Sequence, residues 1–325
     1  MASEEDLSKY FTGKHEVQEC LQGQRETDLP SHLANCEKNP IHKIFIPVNQ
    51  FSLEHFPSDY RDNDLYHFTK GLADLTIRIA VKYTSPDRPE FLPGTTDPYP
   101  GYNIKGQNSL RTGTGKVLWV KKYTEGEDDD MSCPCPECDF SDTPSKVWWG
   151  VVAVTARHVI FNESEARQST CRLWFDDNQS PVLKIYGSAV GDSNTKEDLC
   201  FLYCVSHDLD IGDKLKKMVD RSKGLWKKVS EKYKSRKHVE KLTIIVSHPH
   251  GCVKQVSVGH WVHRQVVEGR RTRYTYTTCT CPGSSGALVY RLGCSWGSFH
   301  PHIGGTSNPN SSRLNYSGVW FDKEI

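Results

Sequence analysis

Residues 147–159 read VWWGVVAVTARHV, a run made mostly of β-branched and aromatic residues. Such a composition is typical of a β-strand that is buried for much of its length. The run ends in Thr155-Ala156-Arg157-His158. His158 therefore stands where a predicted strand gives way to a loop.

Similar short runs precede and follow this strand. They are LTIRIAVKY from Leu75, GTGKVLWVKKY, CRLWF, VLKIYG, LCFLYCV, LTIIVSH, VKQVSVGHWV, RTRYTYTTC and ALVYRL. Turn-forming residues separate them, and no internal repeat is apparent. Many short strands with turns between them predict an all-β sandwich or a pair of barrels.

Two parts of the chain depart from this pattern. Residues 1–70 are polar and mixed in character, so we assign them to an N-terminal extension, with one domain over 71–325. Within that domain, residues 214–241 are rich in Lys and Arg and carry apolar residues near helical spacing. They predict a basic helical insertion, broken near Gly224, which could bind nucleic acid, anionic lipid or an acidic protein. A solvated helix face is the commoner role of such a charge run.

The composition of the 325 residues is that of an ordinary globular protein, with 36% hydrophobic and 25% charged residues and a formal charge of +1. The first residues, MASEEDLSKY, contain no apolar signal region, and no stretch approaches 18 consecutive apolar residues. We therefore expect a cytoplasmic or nuclear protein without a membrane span. In a reducing compartment the twelve cysteines favour free thiols or metal ligands over disulfides.

Three segments supply the groups that acyl transfer by a serine requires. Such transfer needs a base, a carboxylate that orients the base, a nucleophile and donors for the oxyanion. In chain order the candidates are His158, then Asp198 in Asp-Leu-Cys-Phe-Leu, then Ser285 in Pro-Gly-Ser-Ser-Gly-Ala. Each segment alone is weak, because a lone histidine or a Gly-x-Ser-Gly tetrapeptide is common in cores and loops.

Together these segments resemble the T-A-x-H, D-[IL]-A-L-L and G-D-S-G-G signatures of trypsin-like, chymotrypsin-fold serine peptidases. Gly113-Thr114-Gly115 and Ser247-His248-Pro249-His250-Gly251 are similar to two further landmarks of that family, in family order. The resemblance implies two antiparallel six-stranded β-barrels and a triad of His158, Asp198 and Ser285. It also implies an oxyanion hole formed by the backbone N–H groups of Gly283 and Ser285, and no cofactor for catalysis.

The nucleophile loop departs from the family pattern at two positions. Ser284 and Ala287 replace the usual Asp and second Gly, and the chain has no Ile-Val-Gly-Gly start. In trypsins that Asp binds a freed N-terminus, so activation of that kind is not implied here.

The resemblance also extends to a specificity pocket. Residues 299–305, FHPHIGG, resemble the G-x-H-x-G-G segment of glutamyl endopeptidases and picornaviral main proteases. In those families the histidine and a threonine before the nucleophile bind a substrate Glu or Gln, and His302 and Thr280 match them. Cys279 replaces the Asp with which trypsin binds Lys or Arg. Two alternatives remain open: a solvated loop, or a wall built from Ser295-Trp296-Gly297, which resembles the S-W-G of chymotrypsin-like enzymes.

A cysteine cluster at Cys133, Cys135 and Cys138 has a spacing that suits a structural zinc. We expect a distant strand to supply the fourth ligand, with Cys171 as first choice. The alternative is an exposed loop with free or redox-active thiols.

The sequence thus predicts an intracellular serine endopeptidase that acts through an acyl-enzyme, with cleavage after Glu or Gln. A catalytically silent peptidase fold, used as a scaffold that binds nucleic acid or an acidic partner, is the alternative.

Overall fold

The computed structural model of the chain describes residues 13–20, 24–126, 132–236, 239–294, 297–306 and 314–322. Its strands are β1 Gly13–His15, β2 Gln18–Glu19, β3 Ile46–Pro47, β4 Thr76–Val81, β5 Arg111–Thr124, β6 Val147–Thr155, β7 Ser169–Leu173, β8 Leu183–Asn194, β9 Leu199–Ser206, β10 Leu242–Ser247, β11 Gln255–Glu268, β12 Arg271–Tyr276, β13 Tyr290–Arg291, β14 His302–Thr306, β15 Asn315–Ser317 and β16 Trp320–Phe321. Its α-helices are α1 Leu29–Ala34, α2 Asn63–Leu75, α3 Pro136–Asp139, α4 Glu163–Arg167 and α5 Leu209–Tyr233.

The first sheet closes into a barrel. Its antiparallel strands follow the order β5-β4-β7-β8-β9-β6, and β6 pairs again with β5. Ile77, Ile79, Val151 and Leu202 lie inside, each at most 1% exposed. Because side chains alternate across a strand, the inward residues of six strands suffice to fill such a barrel.

The second sheet contains β10 to β15 in the order β14-β15-β12-β11-β10-β13. Backbone hydrogen bonds from His302 to Ala287 and from Val289 to His300 bring the two ends of this path together. The expected all-β architecture of two six-stranded antiparallel barrels is confirmed.

The N-terminal residues do not stand apart from these sheets. Strand β1 pairs with β14 of the second sheet, and β2 pairs with β5 of the first. Strand β3 pairs with β11. Residues 13–20 therefore run from one barrel to the other across the junction between them.

The basic helix begins earlier than the sequence indicated and has no break. Asp208 caps α5, and its carboxylate accepts the N–H of Ile211 at 3.0 Å. The expected break near Gly224 is absent: the helix runs through this glycine, because packing outweighs its low helix propensity. Leu215 and Val219 pack on the first barrel, and Val229 packs beside α2.

This packing gives α5 a structural role. Its apolar stripe is buried in the core, and its lysines face solvent, where Lys216 pairs with Asp220 and Lys227 with Glu231. The expected nucleic-acid or anionic partner receives no support from this arrangement.

None of the helices in the described residues has both the length and the apolar character needed to cross a bilayer. All twelve cysteines are free thiols.

Candidate active site

His158 and Asp198 form a buried hydrogen-bonded pair at the junction of the barrels. The His158 Nδ1 lies 2.5 Å from one carboxylate oxygen of Asp198, and the other oxygen accepts the His158 backbone N–H at 2.8 Å. Both residues are at most 2% exposed. Two contacts from one carboxylate fix the orientation of the ring and leave Nε2 directed toward the cleft.

Asp198 is held in its charged form. It precedes β9 and has a left-handed φ of 52°. Burial raises the pKa of its carboxyl group, but the facing His158 and a contact from His15 outweigh burial and hold that pKa well below its usual range. An ionised carboxylate stabilises a protonated imidazole beside it.

A buried ion pair supports the backbone of this histidine. Arg88 donates to the His158 carbonyl at 3.0 Å and to both carboxylate oxygens of Glu165 at 2.7 Å. Glu165 also accepts from Arg111 at 2.9 Å. This network could not be predicted from the sequence, since its members lie in separate segments without a spacing motif.

The nucleophile loop is shaped by glycine. Gly283 has a φ of 91°, and a Cβ there would lie 2.7 Å from the carbonyl oxygen of His248. Thr114, from the first barrel, donates its N–H to the Ser285 carbonyl and its hydroxyl to the Gly283 carbonyl, each at 2.8 Å. The predicted Gly113-Thr114-Gly115 landmark thus lies against the loop that carries Ser285.

The backbone N–H groups of Gly283 and Ser285 make no hydrogen bond to any described residue. The Pro282 carbonyl accepts from His250 N–H at 2.6 Å, and in a trans peptide the N–H of Gly283 points the opposite way. Both donors therefore remain available for an oxyanion.

The side chains of Ser285 and His158 meet at a third group. The Ser285 hydroxyl donates to the backbone carbonyl oxygen of Glu16, and the His158 Nε2 lies 3.4 Å from the same oxygen. The structure therefore brings His158, Asp198 and Ser285 to one place, with a peptide carbonyl of the N-terminal segment between the hydroxyl and the imidazole.

The Glu16 side chain enters the predicted pocket. Its carboxylate lies 3.1 Å from the His302 Nε2 and forms an ion pair with Lys38. Lys38 also donates to Thr280 at 3.2 Å and to the side chain of Asn315 at 2.7 Å. Burial raises the pKa of Glu16, but Lys38 and His302 outweigh it and bring that pKa to about 2.

His302 thus contacts the Glu16 carboxylate directly, whereas Thr280 contacts Lys38, which pairs with that carboxylate. Cys279 donates to Asn39 at 2.7 Å. Burial lowers the pKa of His302, which favours its neutral form. When Tyr276, 2.7 Å away, donates to Nδ1, the remaining N–H of His302 points at the carboxylate. The sequence reasoning missed Lys38 and Asn315, which lie far from the matched motif. Ser295 and Trp296, of the alternative wall, lie outside the described residues.

The cysteine cluster gathers as expected, but its fourth member differs. Cys133, Cys135, Cys138 and His207 present ligand atoms that all lie within 4.8 Å of one another. Cys171 does not join them: it is fully buried in the first barrel, with its Sγ 3.7 Å from that of Cys204. The first choice for the fourth ligand was therefore wrong, because the strand of Cys171 points this side chain into the core. His207, directly after β9, takes that place.

Comparisons with known proteins give limited similarity. No family model and no curated protein matches the chain. Among solved structures, the active form of the Rv3671c protease from M. tuberculosis matches with a TM-score of 0.40 and 12% identity, covering 79% of this chain and 82% of that one. The inactive form of the same protease matches with a TM-score of 0.39 and 11% identity, covering 79% and 90%. Similarity at this level establishes no family, so the function has to be argued from the geometry of the site.

Proposed function

We propose that the protein is a serine endopeptidase in which Ser285 is the nucleophile, His158 the general base and Asp198 the residue that orients the base. The observation that carries this proposal is the shared contact of Ser285 and His158 with one peptide carbonyl, while Asp198 holds the opposite side of the imidazole. Acyl transfer needs a hydroxyl and an imidazole that both reach the substrate carbonyl, and a buried carboxylate that orients the imidazole.

The reaction follows from these positions. The Ser285 oxygen attacks the substrate carbonyl carbon as its proton passes to His158 Nε2, and the Gly283 and Ser285 amides stabilise the oxyanion. His158 then protonates the leaving amine as the C–N bond breaks. Water hydrolyses the acyl-enzyme, which releases the acid and restores the Ser285 hydroxyl. No cofactor takes part.

Cleavage after Glu, with Gln as the second choice, is the specificity we assign to this site. Lys38 supplies a positive charge and His302 an N–H donor to the side chain of the residue before the cut. A site that hydrogen-bonds a polar group discriminates strongly, because a wrong substrate leaves its buried donors unpaired.

We also propose one structural zinc held by Cys133, Cys135, Cys138 and His207. The second ring nitrogen of His207 lies 3.5 Å from the Glu137 carboxylate, a contact that would orient the ring. The Ser145 N–H reaches the Cys138 sulfur at 3.4 Å, as amide donors commonly do at thiolate ligands. Three thiolates and one imidazole suit tetrahedral zinc.

Labelling with a fluorophosphonate probe tests the peptidase proposal against the silent scaffold. We expect the protein to take up one probe on Ser285, and Ser285→Ala to take up none. Ser284→Ala is the matched control: the Ser284 hydroxyl is occupied with Ser247 at 3.1 Å, so its loss should leave labelling intact. In a Glu16→Lys variant the N-terminal segment should no longer occupy the cleft, because the introduced ammonium group would face Lys38. Absence of labelling in both the native chain and this variant would favour the silent scaffold.

A further inference from the structure

A second cluster of cysteine and histidine side chains lies beside the nucleophile loop. Cys36, His42, His250 and Cys281 present ligand atoms that all lie within 4.8 Å of one another. The two sulfurs are 3.5 Å apart, and the His42 Nε2 is 3.3 Å from the Cys281 sulfur. A disulfide requires sulfurs at about 2.05 Å, so the pair is not a bonded cystine.

Neighbouring residues hydrogen-bond the cysteine and histidine side chains of this cluster, as outer residues do around metal ligands. Asn39 donates its backbone N–H to the Cys36 sulfur at 3.4 Å and its side-chain amide to the Cys281 sulfur at 3.1 Å. The His250 Nδ1 lies 2.8 Å from the Gln18 side-chain oxygen. Its Nε2 is buried and has no hydrogen-bond partner in the described part of the chain. An outer contact on one ring nitrogen that leaves the other unpaired is the usual arrangement of a metal-ligating histidine.

The backbone conformation of both histidines indicates that they occupy a functional site. His42 and His250 have left-handed φ values of 49° and 54°, which few residues other than glycine adopt. Such conformations persist where the surroundings impose them, and they concentrate at functional positions.

We propose that Cys36, His42, His250 and Cys281 bind one zinc ion. Two thiolates and two imidazoles form a closed tetrahedral donor set, which is typical of structural zinc. The ion joins the segment before β3 to the nucleophile loop, since Cys281 lies four residues before Ser285. Lys38 lies between the first two ligands, so the ion also holds this lysine in the specificity pocket.

Metal analysis of reduced, chelator-free protein tests this site and the Cys133 site together. We expect about two zinc ions per chain. Cys281→Ser and Cys138→Ser should each retain one, and Cys20→Ser, at a cysteine outside both clusters, should retain two. Cobalt substitution of a Cys133→Ser/Cys138→Ser variant, whose first cluster keeps only one thiolate, gives a second measurement: a two-thiolate tetrahedral spectrum is expected. One zinc in the native chain that Cys138→Ser abolishes, or a Cys36–Cys281 disulfide in the freshly reduced protein, would overturn the proposal.

Residues 13–20 of the N-terminal segment lie in the cleft that holds Ser285. Residues Gly13–His15 pair antiparallel with Thr306 to Gly304, and the Glu16 N–H donates to the Ile303 carbonyl at 2.9 Å. Past the contact with Ser285, Gln18 pairs with Thr112 of the first barrel. An extended peptide that adds to sheet edges on both sides of a nucleophile lies as a substrate lies.

The cleft accommodates this segment closely. A Cβ at Gly304 would lie 2.0 Å from the Lys14 carbonyl oxygen, so only glycine permits the approach. The His15 ring packs edge-on against His158, with ring centroids 5.0 Å apart. Glu16 fills the pocket with the type of side chain that the pocket selects.

We infer that the protein cuts its own chain between Glu16 and Val17. This inference rests on the proposed function. The Glu16 carbonyl turns from the Ser285–His158 pair toward the Gly283 and Ser285 amides before attack. Ser285 then forms the ester with Glu16 and its proton passes through His158 to the Val17 nitrogen. One water molecule hydrolyses the ester, leaving residues 1–16 with a new carboxylate and a chain that begins at Val17.

Intact mass and N-terminal sequencing of the full chain over time test this inference. We expect a product that begins Val-Gln-Glu, formed with a first-order rate constant that does not depend on protein concentration. Ser285→Ala should stay intact, and Glu16→Leu should be cut at least tenfold more slowly. Glu37→Leu, at an exposed glutamate nearby, should be cut like the native chain.

The external peptide Gly-Lys-His-Glu-Val-Gln-Glu distinguishes failure of self-cleavage from failure of the peptidase proposal. If it is cut by the chain while the Glu16–Val17 bond of the chain persists, self-cleavage is wrong and the peptidase proposal stands. A first-order rate constant that rises in proportion to protein concentration contradicts the intramolecular step. If neither bond is cut and Ser285 is not labelled, both proposals fail.

Discussion

Asp198→Asn should lower kcat by about 10⁴-fold, as the equivalent change does in a Ser-His-Asp triad. The two carboxylate oxygens of Asp198 accept the backbone and ring N–H groups of His158. An amide has only one acceptor oxygen, so its NH₂ group would face either the backbone N–H or the ring. Facing the ring, it favours the tautomer whose proton lies on Nε2, and that tautomer cannot accept the proton of Ser285.

The measurement is steady-state hydrolysis of a peptide with Glu before the cut, with a thermal melt of each variant. Asp192→Asn is the matched control, since Asp192 is exposed on β8 in the same barrel. Its kcat should equal that of the native chain. A loss below about tenfold in folded Asp198→Asn would show that His158 is not oriented by Asp198 during the reaction.

Lys38→Met should change the preferred residue from Glu to Gln. Lys38 pairs with the bound carboxylate, whereas His302 offers an N–H donor that a neutral amide oxygen can also accept. A hydrogen bond to a charged group contributes about 1.5–3 kcal/mol, so kcat/KM for Glu substrates should fall about 10- to 100-fold. Gln substrates should change little.

Matched peptide pairs that differ only in this residue measure the effect. Lys43→Met, at an exposed lysine of the same segment, should keep the Glu preference. His302→Ala should lose activity on both Glu and Gln peptides and far less on apolar ones. A cleavage profile dominated by Arg or by large aromatic residues would show that the pocket is assigned to the wrong side chains.

The peptide segments that build the barrels could be predicted from the sequence because strand patterns are local. In each run of β-branched residues, the alternation of apolar and polar side chains indicates which face of the strand is buried. Within each of the three motif segments, the residues that define the motif lie a few positions apart. The break expected at Gly224 shows the limit of local reasoning. Propensity favoured a kink there, and burial of Leu215 and Val229 on either side of the glycine outweighed it.

The sequence by itself determined the all-β class, the order of His158, Asp198 and Ser285, and the three clustered cysteines. Through the family resemblance it also indicated the two-barrel fold and the pairing of Thr280 with His302 as pocket candidates. Only the tertiary structure brought Glu16 to Ser285, Lys38 into the pocket, His207 to the Cys133 cluster and Cys36 to Cys281. These contacts join residues that are tens to hundreds of positions apart, with no motif spacing between them. Such neighbours are set by how the strands pair and close, because a chain's local pattern fixes which face of an element is buried but not which distant segment covers it.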